Sequence, residues 1–420
     1  MTEVGQTGPD EAVDRVFREE WGRVVAALAR AFGDLDVAED AAQEAFAVAA
    51  RTWPATGVPP NPGGWITTTA KRRAIDRVRR DARRATGHEQ VARHDPVLGG
   101  AAVDLDGAGG ELLDLVLTCC HPALDEPTQV ALTLRMVAGL GTRAIARGFM
   151  VPESTIAQRL VRASRRLREL GALGGPNGLA EELDLDERLP QVLAVVHLVF
   201  NEGYVASGGD GLDRPELVVE ALHLGRLLVR ALPREPEVRG LLALMLLTEA
   251  RRPARVGSDG SFVPLVEQDR ERWDRTLVDE GHSLVQWCLQ TNRPGPFQIQ
   301  AAIHAVHCDA PTLAATDWGQ IVALYDQLLA LTPTAVVALN RAVAVAELDG
   351  PRVGLALVDP LGGELDRYHL WHAVRGDLLE RCGEAEAAAD AFERAAELTR
   401  NEAERRHLAR RRAACLTDGR

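Results

Sequence analysis

The chain has 420 residues, enough for two or three domains with ample cores. A formal net charge of -13 argues against a nucleic-acid binder at first sight, and aromatics at 4 % with abundant Ala, Leu, Val, Arg and Glu favour an all-helical protein. Six cysteines do not make a disulfide framework at this length, the N-terminus MTEVGQTGPDEAV lacks a secretory n- or h-region, and no apolar run reaches membrane-spanning length, so a cytoplasmic protein with no membrane partner is expected.

Charge is unevenly spread. Residues 1–175 hold 22 basic and 23 acidic side chains, while the remainder holds 26 and 38, a net of -12. Within the first part, Lys71 to Arg84 carries eight basic and two acidic residues, and Arg159 to Arg168 carries five basic and none acidic.

Taken in chain order, Val16, Phe17, Trp21, Val24, Leu28 and Phe32 repeat at helical spacing. Asp36 is read as the start of a second helix, with Glu39 completing a capping box. Ala41, Ala42, Ala45, Phe46, Ala49 and Trp53 share one face of it, and Asp40, Gln43 and Glu44 share the opposite one. Pro54 should close it. After the loop ATGVPPNPGG, a third helix near Trp65 should run through WITTTAKRRAIDRVRRDARR. Its core stripe is Trp65 or Ile66, then Ala70, Ala74, Ile75 and Val78. Residues 86–110, without periodicity and rich in Gly, Ala and Asp, read as a flexible linker.

Residues 111–172 end in a helix-turn-helix pattern. Thr142 caps the short helix TRAIARGF, Met150-Val151 is the turn, and Pro152 pre-sets the long helix ESTIAQRLVRASRRLREL. Ile145, Ala146, Ile156 and Leu160 would join the two helices. The turn position often held by Gly is Met150. Beyond Pro176-Asn177-Gly178, helical patterns continue to the end. Tyr325, Leu328 and Pro333, then residues 335–358, then HLWHAVRGDLLERCGEAEAAADAFERAAEL make a weak repeat of roughly 33 residues with the tetratricopeptide small-against-large pattern Gly376, Ala388, Phe392, Ala395.

Three constellations carry chemistry. KRRAIDRVRR keeps an apolar stripe, so it is a folded helix. An aromatic at its mouth suits single-stranded nucleic acid, whose backbone cations track and whose bases aromatics accept. Glu153, Ser154, Thr155, Gln158, Arg159 and Arg162 would point into a major groove. The third is the acidic row Asp40, Gln43, Glu44. Taken singly, each also reads as a solvated face or an ordinary hairpin.

Their order is specific. DVAEDAAQEAFAVAARTW, PNPGGWITTTAKRRAIDRVRR and TRAIARGFMVPESTIAQRLVRASRRLREL resemble regions 2 and 4 of extracytoplasmic-function sigma factors of the sigma-70 family. LTCCHPALDEPTQVALTLR, LPQVLAVVHLVFNEGYVAS and LTPTAVVALNRAVAVAELDGP resemble the subgroup with a long C-terminal tetratricopeptide-like extension. The resemblance implies an all-α fold: a region 2 helical bundle over 10–85, a linker over 86–110, a region 4 helix-turn-helix over 111–172 and a helical repeat domain over 180–420. It implies that Asp40, Gln43 and Glu44 dock on the clamp helices of the largest subunit of core RNA polymerase. It assigns Pro62, Trp65, Thr68, Lys71, Arg72, Asp76, Arg77 and Arg80 to the promoter -10 element, with a base held near Trp65. It assigns Glu153, Ser154, Thr155, Gln158, Arg159 and Arg162 to the -35 element. The linker would pass near the polymerase active-site channel.

Other residues carry weaker signals. Cys119-Cys120-His121 lacks a second ligand pair at zinc spacing, and packing is its expected role; His304, His307 and Cys308 lie one helical turn apart, a spacing that could bind a metal. Asn201, Glu202, Gly203 and Tyr204 read as a structural turn. No catalytic residue, cofactor or metal is expected. The extension is expected to take a protein or small-molecule partner, or to control the DNA-binding parts in cis through its opposite charge. The alternative is a helix-turn-helix regulator with a sensing repeat domain and no polymerase contact.

Overall fold

The computed structural model describes residues 9–85, 108–149, 151–172, 185–205, 214–257 and 262–418. The described residues form helices with no strand, only an isolated bridge between Val256 and Phe262. The all-α expectation therefore holds. In order the helices are α1 (Pro9–Phe32), α2 (Leu35–Thr56), α3 (Pro62–Ala85), α4 (Ala108–Cys119), α5 (Glu126–Met136), α6 (Thr142–Gly148), α7 (Glu153–Glu169) and α8 (Leu185–Tyr204). There follow α9 (Pro215–Ala231), α10 (Pro236–Glu249), α11 (Arg252–Arg255), α12 (Arg275–Thr291), α13 (Pro296–Asp309) and α14 (Trp318–Leu331). The last six are α15 (Ala335–Asp349), α16 (Pro351–Val358), α17 (Gly362–Leu365), α18 (His369–Arg381), α19 (Ala385–Leu398) and α20 (Glu402–Asp418). Most of residues 86–110, read as a linker, lies outside the described residues, as does Met150. No described helix is long and apolar enough to cross a membrane.

The chain divides into two compact units, Met1–Leu198 and Val199–Arg420, and the division falls inside α8. In the first, α1, α2 and α3 pack together around an aromatic triangle. Phe17 lies 4.9 Å from both Trp21 and Phe46, centroid to centroid. The apolar face foreseen for α2 is buried throughout. Several local readings shift. Asp34 caps α2 instead of Asp36, because its carboxylate reaches the amides of Asp36 and Val37 and lets Leu35 enter the core as the first helical residue. Pro54 lies within α2, whose end is set by Gly57 at φ +80°. Val78 is 44 % exposed, because α3 runs past the bundle it packs on.

Helix α5 is buried on nearly every side. It packs against α4, α6 and α7, and the turn after it inserts into α1. Two glycines permit that approach. A Cβ at Gly22 would lie 2.8 Å from the Val137 carbonyl oxygen, and Gly139, at φ +75°, lies against Phe17 and Trp21. Thr142 begins α6 with Gly141 in the cap position, and Pro152 occupies that position for α7. Ile145, Ala146, Ile156 and Leu160 are buried, as their spacing predicted.

In the second unit, α10 is apolar all round (Leu241 to Leu247) and therefore central, packed on α9, α12 and α13. From α13 to α16, and again from α18 to α20, each helix packs on the next; α16 and α18 also pack together. Such stacking buries each helix's apolar face on its neighbours. Gly376 sits against the Phe392 ring, where a Cβ would come within 2.8 Å, and Ala388 and Ala395 are fully buried. The small-against-large spacing of that last pair is real.

Candidate nucleic-acid interface

The acidic row of α2 exists because the other side of the helix is buried. Gln43 and Glu44 are exposed and Asp40 half-buried. The row abuts the basic helix: Arg77 pairs with Asp40, and Arg73 Nε lies 3.7 Å from Glu44 Oε2. Gln43 Nε2 donates to Glu39 Oε1 at 2.6 Å. Ion pairs this exposed contribute only about 0–1 kcal/mol each, so they orient the side chains without locking them.

Pro62 opens α3, its fixed φ suiting the first helical turn, and the Asn61 side chain accepts from the Gly64 amide at 2.9 Å. Trp65 is half-buried, its ring set edge-on to Trp53 at 5.5 Å. The hydroxyls of Thr67, Thr68 and Thr69 each donate to the carbonyl four residues back at 2.8 Å. Arg72, Asp76 and Arg80 are exposed along the outer face, and Lys71 and Arg77 are half-buried. The residues assigned to the -10 element thus lie on one helix beside the acidic row.

In α7, Ile156, Leu160, Ala163, Ser164 and Leu167 face inward. Glu153, Ser154, Gln158 and Arg162 are exposed, and Thr155 and Arg159 half-buried. Pro152, in the cap position of α7, supplies no side-chain cap, and Glu153 lies in the first turn. Asp125, held below the usual carboxylate range chiefly by its hydrogen bonds to Thr128, lies in the field of Arg159 and Arg162.

The two candidate DNA-binding parts are not separate bodies. The Trp21 indole donates to the Met136 carbonyl at 3.1 Å. Arg168, in the last turn of α7, lies 2.8 Å from Asp34 and 3.0 Å from Asp36. Arg135 pairs with the buried Glu39 and donates to the Leu140 carbonyl at 3.1 Å. Burial pushes the Glu39 carboxyl up, and Arg135 opposes that shift. Glu39 is a buried carboxylate and not the capping residue that its spacing from Asp36 predicts. Its register with Leu35, Ala42 and Phe46 was the available sign that it faces inward.

Residues 16–84 match sigma-70 region 2, and residues 188–289 match a family of unknown function, DUF6596. The chain is also 42 % identical over 390 residues to an uncharacterised protein of Rhizobium meliloti, covering 92 % of each chain. The chain carries a sigma-70 region 2. The region 2 match spans the acidic row and the described basic helix up to Arg80, so the two faces that lie side by side belong to the matched segment.

The other polar clusters of the chain are built into its cores. Among the described residues no group of three His, Cys, Asp or Glu side chains could hold a metal. Cys119 and Cys120 are buried, and burial raises the Cys120 thiol to about 12. The His121 ring accepts from the Ala123 amide. Residues 201–204 are the end of α8 and not a turn: Glu202 pairs with Arg214 at 2.7 Å, Gly203 lies against the Val218 amide, and Tyr204 stacks under Arg255. His304 Nδ1 meets Thr248 Oγ1 at 3.1 Å and Arg251 at 2.9 Å.

His307 is buried, edge-on to Trp318 at 5.3 Å. Burial, aided by Arg251 and Arg270, pushes its imidazole down from 6.5 to about 4. The unfolded chain takes up that proton first, so stability present above pH 6.5 falls as the pH drops from 6.5 towards 4. The loss reaches about 3 kcal/mol at the lower end. His307→Gln is expected to flatten this slope in urea melts of the full chain taken across that range. An unchanged slope would assign the acid lability elsewhere.

Proposed function

We propose that the chain is an extracytoplasmic-function sigma factor that binds core RNA polymerase and directs promoter-specific initiation. Asp40, Gln43 and Glu44 dock on the clamp helices of the largest subunit. The segment from Pro62 to Arg80 opens and reads the -10 element, with an unstacked base beside Trp65. The outer face of α7, from Glu153 to Arg162, reads the -35 duplex. The tetratricopeptide-like extension takes a protein or small-molecule partner. One observation carries the reading: within the region 2 match, an exposed acidic row and an exposed basic face with a half-buried tryptophan at its mouth lie on adjacent helices. That arrangement can hold a basic protein surface and a melted strand at once. Extruding a base costs a few kcal/mol, within reach of such contacts without nucleotide hydrolysis. Reconstitution with core polymerase and mapping of transcription starts tests the proposal. If no start appears above core alone, it fails.

The contacts between α1, α2, α5 and α7 add a requirement. The -10 and -35 elements are about 25 base pairs apart, roughly 85 Å at 3.4 Å per step. Arg168 holds one end of α7 against Asp34 and Asp36, and a helix of 17 residues is about 25 Å long. One body closed in this way cannot reach both elements, so the first unit opens on the promoter. The 22 residues between α3 and α4 reach about 75 Å when extended. Amide exchange at 137–140 is expected to rise about tenfold or more when core polymerase and promoter are added. Unchanged protection there would mean that the elements are read without opening.

A further inference from the structure

The first half of α8 lies in the same compact unit as the DNA-reading helices, although the family of unknown function begins at residue 188. Two polar side chains one turn apart on α8 reach the connection between α4 and α5. Arg188, 8 % exposed, donates to the Leu117 carbonyl in the last turn of α4. Gln191 Nε2 donates to Gln129 Oε1 at 2.8 Å. Gln129 is itself a staple. Buried in α5, it shares its amide hydrogens among the carbonyls of Cys120, His121 and Leu124 at 3.4, 3.0 and 3.2 Å.

An amide can point either way. The bond from Gln191 fixes the oxygen of Gln129 towards α8 and so keeps the nitrogen on the turn. Arg188 stays in place although burial disfavours its charge, and its Nη1 has no partner among the described residues. An apolar side chain would avoid that cost but could not hold the Leu117 carbonyl. The turn that these residues fix leads into α5, on which α7 packs, and it carries Asp125, the cap of α5, in the field of Arg159 and Arg162.

We infer that residues 185–198 are the closing helix of the duplex-reading module, with Arg188 and Gln191 as positioning residues that set α5, and through it α7, for the groove. This rests on the proposed reading of α7. It assigns the first turns of the family of unknown function to DNA recognition.

The test uses full-length Arg188→Met, Gln191→Leu and Arg188→Lys chains, each reconstituted with core polymerase. The DNA probe is a duplex selected from random sequence by the wild-type complex. Losing the partner of the buried Arg188 bond is worth about tenfold, and losing the half-buried Gln191 bond up to that. The first two variants are expected to raise amide exchange at 120–125 by about that factor and to weaken duplex binding equally, with polymerase co-purification unchanged. Arg188→Lys, which still donates, is expected to recover most of both. The inference is overturned if exchange at 120–125 is unchanged, if exchange rises while duplex binding stays at wild type, or if the variants loosen the whole chain and Arg188→Lys recovers nothing. A wild-type complex that selects no duplex overturns the sigma reading instead, and exchange at 120–125 then decides by itself whether α8 sets the turn.

Discussion

A chain carrying Asp40→Arg with Glu44→Arg is expected to lose association with core RNA polymerase by about 100-fold, while its duplex DNA binding stays within about threefold of wild type. Reversing charge at a protein interface costs roughly 2–5 kcal/mol when the partner charge is left without its acid. Both positions lie on the outer side of α2, away from the Ala42, Ala45 and Ala49 stripe, so the core is not disturbed. The local cost is the loss of the pairs with Arg77 and Arg73 and repulsion from both arginines. For side chains this exposed that amounts to about 1 kcal/mol per site. The variant therefore folds, and a melt that stays within a few degrees of wild type confirms it. The duplex contacts proposed for the outer face of α7 are touched by neither substitution. Co-purification with core polymerase and anisotropy on duplex DNA separate the two functions. A regulator that never meets polymerase would show no change in the first assay. If co-purification survives both reversals, α2 is not the docking surface and the sigma reading loses its main support.

Features that depend on neighbours in sequence were legible. The apolar stripe of α2, the pairing of Ile145 and Ala146 with Ile156 and Leu160, and the fit of Gly376 to Phe392 all follow from helical spacing, and the structure has them. Ends of helices were read less well, because rival caps compete within a turn. Asp36 and Glu39 have capping-box spacing, yet Asp34 wins because starting two residues earlier buries Leu35 completely. Residues 201–204 looked like a turn because of Asn and Gly. Gly203 is instead required by the close approach of the Val218 amide, which continues the helix through Tyr204. What could not be read at all were pairings across long separations. Trp21 meets Met136 across 115 residues and Arg168 meets Asp36 across 132. Nothing local marks such partners, so the packing of α1 and α2 against α5 and α7 could not be foreseen. The exposure of the candidate DNA and polymerase residues was legible, because it follows from the burial of the apolar stripe on the other side of each helix.

Shortening the chain should separate the two halves of α8. A chain ending at residue 198 is expected to keep a cooperatively folded first unit, whereas one ending at residue 180 is expected to lose it. The shorter chain lacks Leu189, Val192 and Leu193, all buried, together with the side chains that hold the Leu117 carbonyl and Gln129 Oε1. Burying one such apolar side chain is worth about 1.5–3 kcal/mol, so three amount to roughly 5–9 kcal/mol. That is the size of a whole domain's net stability, about 5–15 kcal/mol. Part of the apolar contribution is already present in a compact unfolded chain, so the lower figure is the safer guide. Even so, the loss removes the partner of Gln129 in α5, the helix on which α7 packs, and duplex binding should disappear with it. Urea melts followed by circular dichroism, with duplex anisotropy on the same samples, distinguish the outcomes. Equal stability for the two chains would mean that 185–198 contributes nothing to the first unit. A defect confined to the shorter chain has a practical consequence. Activity lost on cutting at 180 would report damage to the DNA-reading part, and only the cut at 198 isolates what the acidic C-terminal unit itself does to transcription.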